Sequence, residues 1–128
     1  MKPLFSIIIV SLNTKYQFLK TINSVKNQTF KKYEVVVVDG KSKDGTIAEI
    51  KRIKNKKFKF IIEKDKGIYD AMNKGIKNCS GSWIIFLNSG DILFNKNILK
   101  KISKKKINQK DILFGDTIIQ NKFFTHNS

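Results

Sequence analysis

The stretch from Gly67 to Asp91, GIYDAMNKGIKNCSGSWIIFLNSGD, decides the fold. Its first half has helical spacing, with Ile68, Met72, Ile76 and Cys79 on one face and Asp70, Asn73, Lys74 and Lys77 on the other. Ser80 and Gly81 break that pattern, and Trp83 to Leu87 is then an unbroken apolar run. A short apolar run between turn signals reads as a strand covered on both faces. It stops at Asn88, Ser89, Gly90 and Asp91. Open α/β sheets bind ligands outside the carboxyl ends of their strands, so this small, polar, acidic cluster is where the chemistry is expected.

Working outward, the same alternation recurs. Phe5 to Val10 is a strand closed by Ser11, Leu12 and Asn13; Phe18, Leu19, Ile22 and Val25 then repeat at helical spacing. A second strand, Tyr33 to Val38, ends in Asp39 and Gly40. The loop after it leads into a helix with Ile47, Ile50 and Ile53 as its buried stripe. Thr46 and Glu49 have capping-box spacing, and Asp44 is the alternative cap. Phe58 to Ile62 is a third strand, ending in Glu63, Lys64, Asp65, Lys66 and Gly67. Beyond Asp91, Ile98, Leu99 and Ile102 predict a short helix begun near Asn95 or Asn97, and Ile112–Phe114 and Thr117–Phe124 predict two further strands. Strand and helix alternate with every early strand apolar on both faces. The expected fold is therefore α/β: one domain over residues 1–128, Rossmann-like, with a mostly parallel sheet of right-handed βαβ units and helices on both faces.

Composition narrows the function. A chain of 128 residues with 41% apolar side chains holds a real core in a single domain. Cys79 is the single cysteine, which excludes a disulfide framework or multi-cysteine metal site and fits a reducing, cytoplasmic setting. The apolar start, Leu4 to Leu12, is too short to span a bilayer. The formal charge of +16 is nearly all lysine, with Arg52 the one arginine. Readers of base edges and stackers on bases rely on arginine and exposed aromatics, so nucleic-acid binding is disfavoured. A solvated lysine surface, or weak attraction to an anionic membrane, accounts for the charge.

Two phosphate cradles are missing: no GxGxxG follows the first strand, and no GxxxxGK[ST] occurs anywhere. Instead, small polar and acidic residues close each strand: Asn13, Asp39, Asp65 and Asp91. A carboxylate at the second strand's end can accept hydrogen bonds from a base N–H or a ribose hydroxyl. One at the fourth can hold Mg²⁺ or Mn²⁺, whose other positions go to phosphate oxygens and water.

These residues resemble a known family. SIIIVSLN (6–13), SVKNQTF (24–30), VVDGKSKDGT (37–46) and FLNSGD (86–91) follow the order of motifs in family 2 glycosyltransferases of GT-A fold. The third resembles the DDGSxDGT signature, and the last occupies the place of the Asp-x-Asp metal motif. With GIYDAMNKG (67–75) ahead of it, the pattern is similar to the branch that builds bacterial surface polysaccharides. The resemblance implies that Ser11, Leu12, Asn13 and Asp39 hold base and ribose, and that Asn88, Ser89 and Gly90 hold ribose and diphosphate. It implies that Asp91 holds the metal, that Gly67 and the helix after it assist a phosphate, and that Asp70 faces the donor sugar. It implies a nucleotide-sugar donor (a UDP-sugar first), a glycan or lipid-linked acceptor, transfer typically with inversion, and a cytoplasmic enzyme peripheral to the membrane. Gly40 departs from the signature's second Asp, and Asn88 and Gly90 from the acidic positions of the metal motif. The family's acceptor half and general base are expected beyond Ser128, so the chain reads as a donor-binding half, with nucleotide binding without turnover as the alternative. The residues also carry plainer readings: Asp39 as a loop cap, Asp91 as a helix N-cap, Asp70 as a solvated helix position, Trp83 as core packing and His126 as a chain-end residue.

Overall fold

In a computed structural model, residues 2–104 and the backbone of 112–114 are described. The elements are β1 (Phe5–Ser11), α1 (Lys15–Lys26), β2 (Tyr33–Asp39), α2 (Thr46–Lys51), β3 (Phe58–Ile62), α3 (Ile68–Lys77), β4 (Trp83–Asn88), α4 (Ile98–Ser103) and β5 (Ile112–Phe114). The five strands form one parallel sheet in the order β3-β2-β1-β4-β5. The strand expected over Thr117–Phe124, and His126, lie outside the described residues.

β1 and β2 are buried along their whole length, which is why their sequences are apolar without alternation. Alternate residues serve two cores. Phe5, Ile7, Ile9, Val35, Val37, Ile85 and Leu87 pack with Phe18, Ile22 and Val25 of α1, Ile50 of α2 and Ile98, Leu99 and Ile102 of α4. On the other face, Ile8, Val10, Val36, Val38 and Phe86 pack with Ala71 of α3. The chain moves from β1 out to β2 and β3, and then α3 carries it back across the sheet to β4. A crossover of fixed hand that reverses direction must change faces, and α3 does so. The doubly covered parallel sheet expected from the sequence is found.

The buried face of α3 differs from the one its apolar spacing predicts. Ala71 and Gly75 are the buried positions, with Met72 and Cys79 partly covered, whereas Ile68 is 47% and Ile76 39% exposed. The reason is proximity. A Cβ added to Gly75 would sit inside the Cγ2 of Ile8, so α3 lies against β1 on its smallest side chains. At the start of α2, Asp44 outcompetes the Thr46–Glu49 box: its Oδ1 accepts the Thr46 hydroxyl at 2.6 Å and the Thr46 N–H at 3.1 Å.

Candidate functional site

The register aligns the strand ends: Ser11 lies opposite Asp39, Asp39 opposite Ile62, and Val10 opposite Asn88. At this edge the chain leaves β1 and β4 towards the face covered by α1, α2 and α4, and leaves β3 towards the face covered by α3; the loops part, and a crevice opens at the carboxyl ends of the strands. A cleft of about 270 Å³ occupies it. Its walls are the end of β1 (Val10 to Leu12, with Thr14), the β3–α3 loop (Asp65, Gly67), the first turn of α3 (Ile68, Ala71) and Asn88–Ser89 after β4. Leu12 and Ile68, both about half exposed, make an apolar lip.

The sequence-predicted residues divide by placement. Ser11, Leu12, Gly67, Asn88 and Ser89 line the cleft. Asn13, in a left-handed conformation at φ 53°, is spent between loops: its N–H donates to Ser42 Oγ at 2.8 Å and its Oδ1 accepts from Lys43 N–H at 2.7 Å. Asp39 is fully buried beneath the β2–α2 loop. Its Oδ2 accepts the Ser42 N–H at 2.7 Å and its Oδ1 the Ser42 hydroxyl at 2.6 Å. Asp39, Ser42 and Asn13 thus form one chain of hydrogen bonds that fixes two loops against each other. Asp70 turns back on its own helix, accepting the Lys66 N–H at 2.8 Å with Lys74 Nζ 3.5 Å away. The Lys66 N–H, with the Lys74 ammonium, holds its carboxyl below the ordinary aspartate value.

The turn after β4 is reciprocal. Asp91 N–H donates to the Asn88 carbonyl at 2.9 Å, and Asp91 Oδ2 accepts the Asn88 N–H at 2.9 Å. Gly90, at φ 105°, makes the turn possible and donates its N–H to Thr21 Oγ1 of α1 at 2.8 Å. The chain then runs down α1. Leu93 N–H donates to Ser24 Oγ at 3.1 Å, the Gln28 amide donates to the Asn95 carbonyl at 2.7 Å, and Leu99 N–H donates to Gln28 Oε1 at 3.1 Å. Thr21 and Ser24 of α1, with Gln28 just past its end, form a stripe to which the segment from Gly90 to Leu99 is pinned. Sequence reasoning placed Asp65 at the strand-end edge without giving it a role, and it did not single out Thr21 or Ser42. Asp65 is legible as a strand-end carboxylate, whereas a threonine inside a helix and a serine in a loop carry no such signal.

Among the described residues no group of three or more His, Cys, Asp or Glu side chains could hold a metal. Among the described residues, Asp91 offers one oxygen, Oδ1, without a hydrogen bond, its Oδ2 being used within the turn. That donor set does not fit a cation caged by protein alone. It fits Mg²⁺ or Mn²⁺ held jointly by one carboxylate, phosphate oxygens and water. No described helix is long and apolar enough to cross a membrane.

Comparison with known proteins agrees with the fold. The chain is similar to a PGL/p-HBAD biosynthesis glycosyltransferase of Mycobacterium tuberculosis, 34% identical over 95% of this chain and 50% of that protein. It spans about half the length of that relative. Among solved structures it is similar to Staphylococcus aureus TarS 1-349 in complex with UDP-GlcNAc, with a TM-score of 0.72 and 30% identity over 80% of this chain and 30% of that one. The mannosyltransferase PcManGT from Pyrobaculum calidifontis, in complex with GDP-Man and Mn²⁺, shares the fold: TM-score 0.70 and 21% identity over 77% of this chain and 31% of that one. These neighbours are GT-A glycosyltransferases. The model of the family described as glycosyl transferase family 2 matches residues 6–128. The chain belongs to glycosyl transferase family 2.

Proposed function

We propose that the cleft binds the nucleoside diphosphate part of a sugar donor, and that the protein acts in glycosyl transfer from that donor. One observation carries the reading: in a chain of this family, a crevice at the carboxyl ends of the strands lies between the β3–α3 loop and Asn88–Ser89, where the turn that carries Asp91 begins. The diphosphate lies towards Asn88, Ser89 and Gly90, with Asp91 Oδ1 as the protein's ligand to Mg²⁺ or Mn²⁺. A divalent cation, when bound there, neutralises the charge that builds on the leaving diphosphate. Ser11 and Leu12 receive the nucleoside. Asn13 and Asp39 hold the loops around it, and the N-terminus of α3 at Gly67 adds a favourable field for phosphate. The acceptor, a glycan or lipid-linked sugar, attacks the anomeric carbon as the diphosphate departs. UDP is the first donor nucleotide to test, because the neighbour that is 30% identical is a complex with UDP-GlcNAc. The lysine-rich surface supports peripheral contact with anionic membrane. A second reading, donor binding without turnover, is supported by the cleft walls, where Asp65 is the one carboxylate among the described residues.

Calorimetric titration of UDP, with Mn²⁺ and then with EDTA, tests the reading. Saturable binding that weakens on chelation is expected. A folded sample that binds no UDP in either condition overturns it.

A further inference from the structure

Asp39 and Asp65 close neighbouring strands, yet only one of them faces the cleft. Asp39 is fully buried, with both oxygens engaged by Ser42. Asp65 stands in the cleft wall and is held by one oxygen, its Oδ1 accepting the Gly67 N–H at 3.1 Å. Its Oδ2 accepts no hydrogen bond among the described residues. That oxygen lies over the end of β2, 2.8 Å from where a Cβ on residue 40 would be. The absence of a side chain at Gly40 is what lets the carboxylate lie there, so the two positions are coupled. Where the sequence drops a carboxylate at residue 40, the fold supplies one from the next strand.

Position along the edge says which end of a ligand it meets. In the order β3-β2-β1-β4, Asp65 follows β3 and the Asn88–Asp91 turn follows β4. Three strand spacings separate them, about 14 Å. This is the reach of an extended nucleoside diphosphate, so with the diphosphate at the β4 turn the base lies at Asp65. We infer that Asp65 reads the donor's nucleobase, its Oδ2 accepting the imide N–H of uracil across the face left open by Gly40. The inference rests on the donor-binding reading above.

The test uses the full chain and UDP. Asp65→Asn keeps an oxygen for the Gly67 N–H but replaces the open Oδ2 with an amide donor. It is expected to weaken UDP binding about tenfold, the scale of one charge-assisted hydrogen bond, with an unchanged unfolding midpoint. Gly40→Ala, whose Cβ displaces the carboxylate, is expected to weaken it likewise. The penalty of Asp65→Asn should vanish when the ligand is N3-methyl-UDP and persist with 2′-deoxy-UDP. If wild type binds UDP and Asp65→Asn binds it equally, the inference fails and the donor-binding reading stands. If the penalty vanishes with 2′-deoxy-UDP instead, Asp65 meets the ribose and the assignment to the base is overturned. If wild type binds no UDP, both fall together.

Discussion

β2 carries a buried carboxylate near each end, and the two are spent differently. Glu34, near its start, gathers the N-terminal edge of the sheet. Its Oε2 accepts the Ser6 hydroxyl and the Ser80 N–H, each at 2.5 Å, and the Ser80 hydroxyl at 3.1 Å; Lys59 Nζ lies 3.1 Å from Oε1. Through Ser6, whose Oγ also accepts the Gly81 N–H at 2.7 Å, it ties the α3–β4 turn to β1. Asp39, at the other end, makes a local pair with Ser42 that shapes a loop beside the cleft. One end of the sheet is sewn across three strands by a single carboxylate, while at the other Asp39, through Ser42 and Asn13, ties the β1–α1 and β2–α2 loops together beside the cleft.

The largest effect is therefore expected far from the cleft. Glu34→Ala strands the buried Ser6 hydroxyl and takes the acceptor from the part-buried Ser80 N–H, and should cost about 2–3 kcal/mol of stability in denaturant unfolding. The folded fraction should bind UDP with wild-type affinity. A tenfold loss of affinity in that variant would erase the distinction between the edges. The same residue sets a pH dependence. Burial pushes Glu34 up, but the bonds from Ser6 and Ser80 and the Lys59 ammonium outweigh it, leaving its carboxyl below the ordinary glutamate value. A depressed folded value means that the stabilisation is full above the unfolded value and is lost as pH falls through the folded one. The stability gap between wild type and Glu34→Ala should narrow on acidification, and a gap that widens would contradict the network.

Asp39→Asn comes next. An asparagine accepts with one oxygen where the carboxylate uses two, so one of the two Ser42 bonds is lost, at about 1–2 kcal/mol. Unlike Glu34→Ala, it should also weaken UDP binding, because Asn13 and Ser42 move with it. Measured side by side by calorimetry, the two variants should give opposite ratios of stability loss to affinity loss.

The same contrast marks what was legible in the sequence. Strands showed themselves because β1 and β2, covered on both faces, are runs of isoleucine and valine, and the strand ends showed themselves as sudden polar residues. That placed the cleft. It did not say where each polar side chain points, because an aspartate at a strand end reads the same whether it is aimed at a ligand or folded under a serine. The face of α3 was misjudged for a related reason. Apolar spacing favoured Ile68 and Ile76, but closeness of backbone to sheet is paid for in small side chains, and Ala71 and Gly75 carry too little hydrophobicity to register. On α1 the apolar stripe was plain, while nothing in the sequence marks Thr21, Ser24 and Gln28 as the polar stripe that holds the segment from Gly90 to Leu99.

That stripe supports the smallest predicted effect, and it tests whether the open edge is positioned from outside. Thr21 is fully buried, donates its hydroxyl to the Gln17 carbonyl at 3.1 Å and accepts the Gly90 N–H. Thr21→Val keeps the shape and leaves the Gly90 N–H without a partner, which should cost about 1 kcal/mol. If Thr21 acts only on stability, UDP affinity in EDTA and in Mn²⁺ will be equally unchanged in the folded protein. If it positions the turn, the affinity gained from Mn²⁺ should shrink while the affinity in EDTA stays, because Asp91 is held through the same turn. Thr21→Ser, which restores the hydroxyl but not the methyl, should recover the Mn²⁺ gain without recovering all of the stability. That split separates a hydroxyl that orients a ligand from a methyl that fills a core.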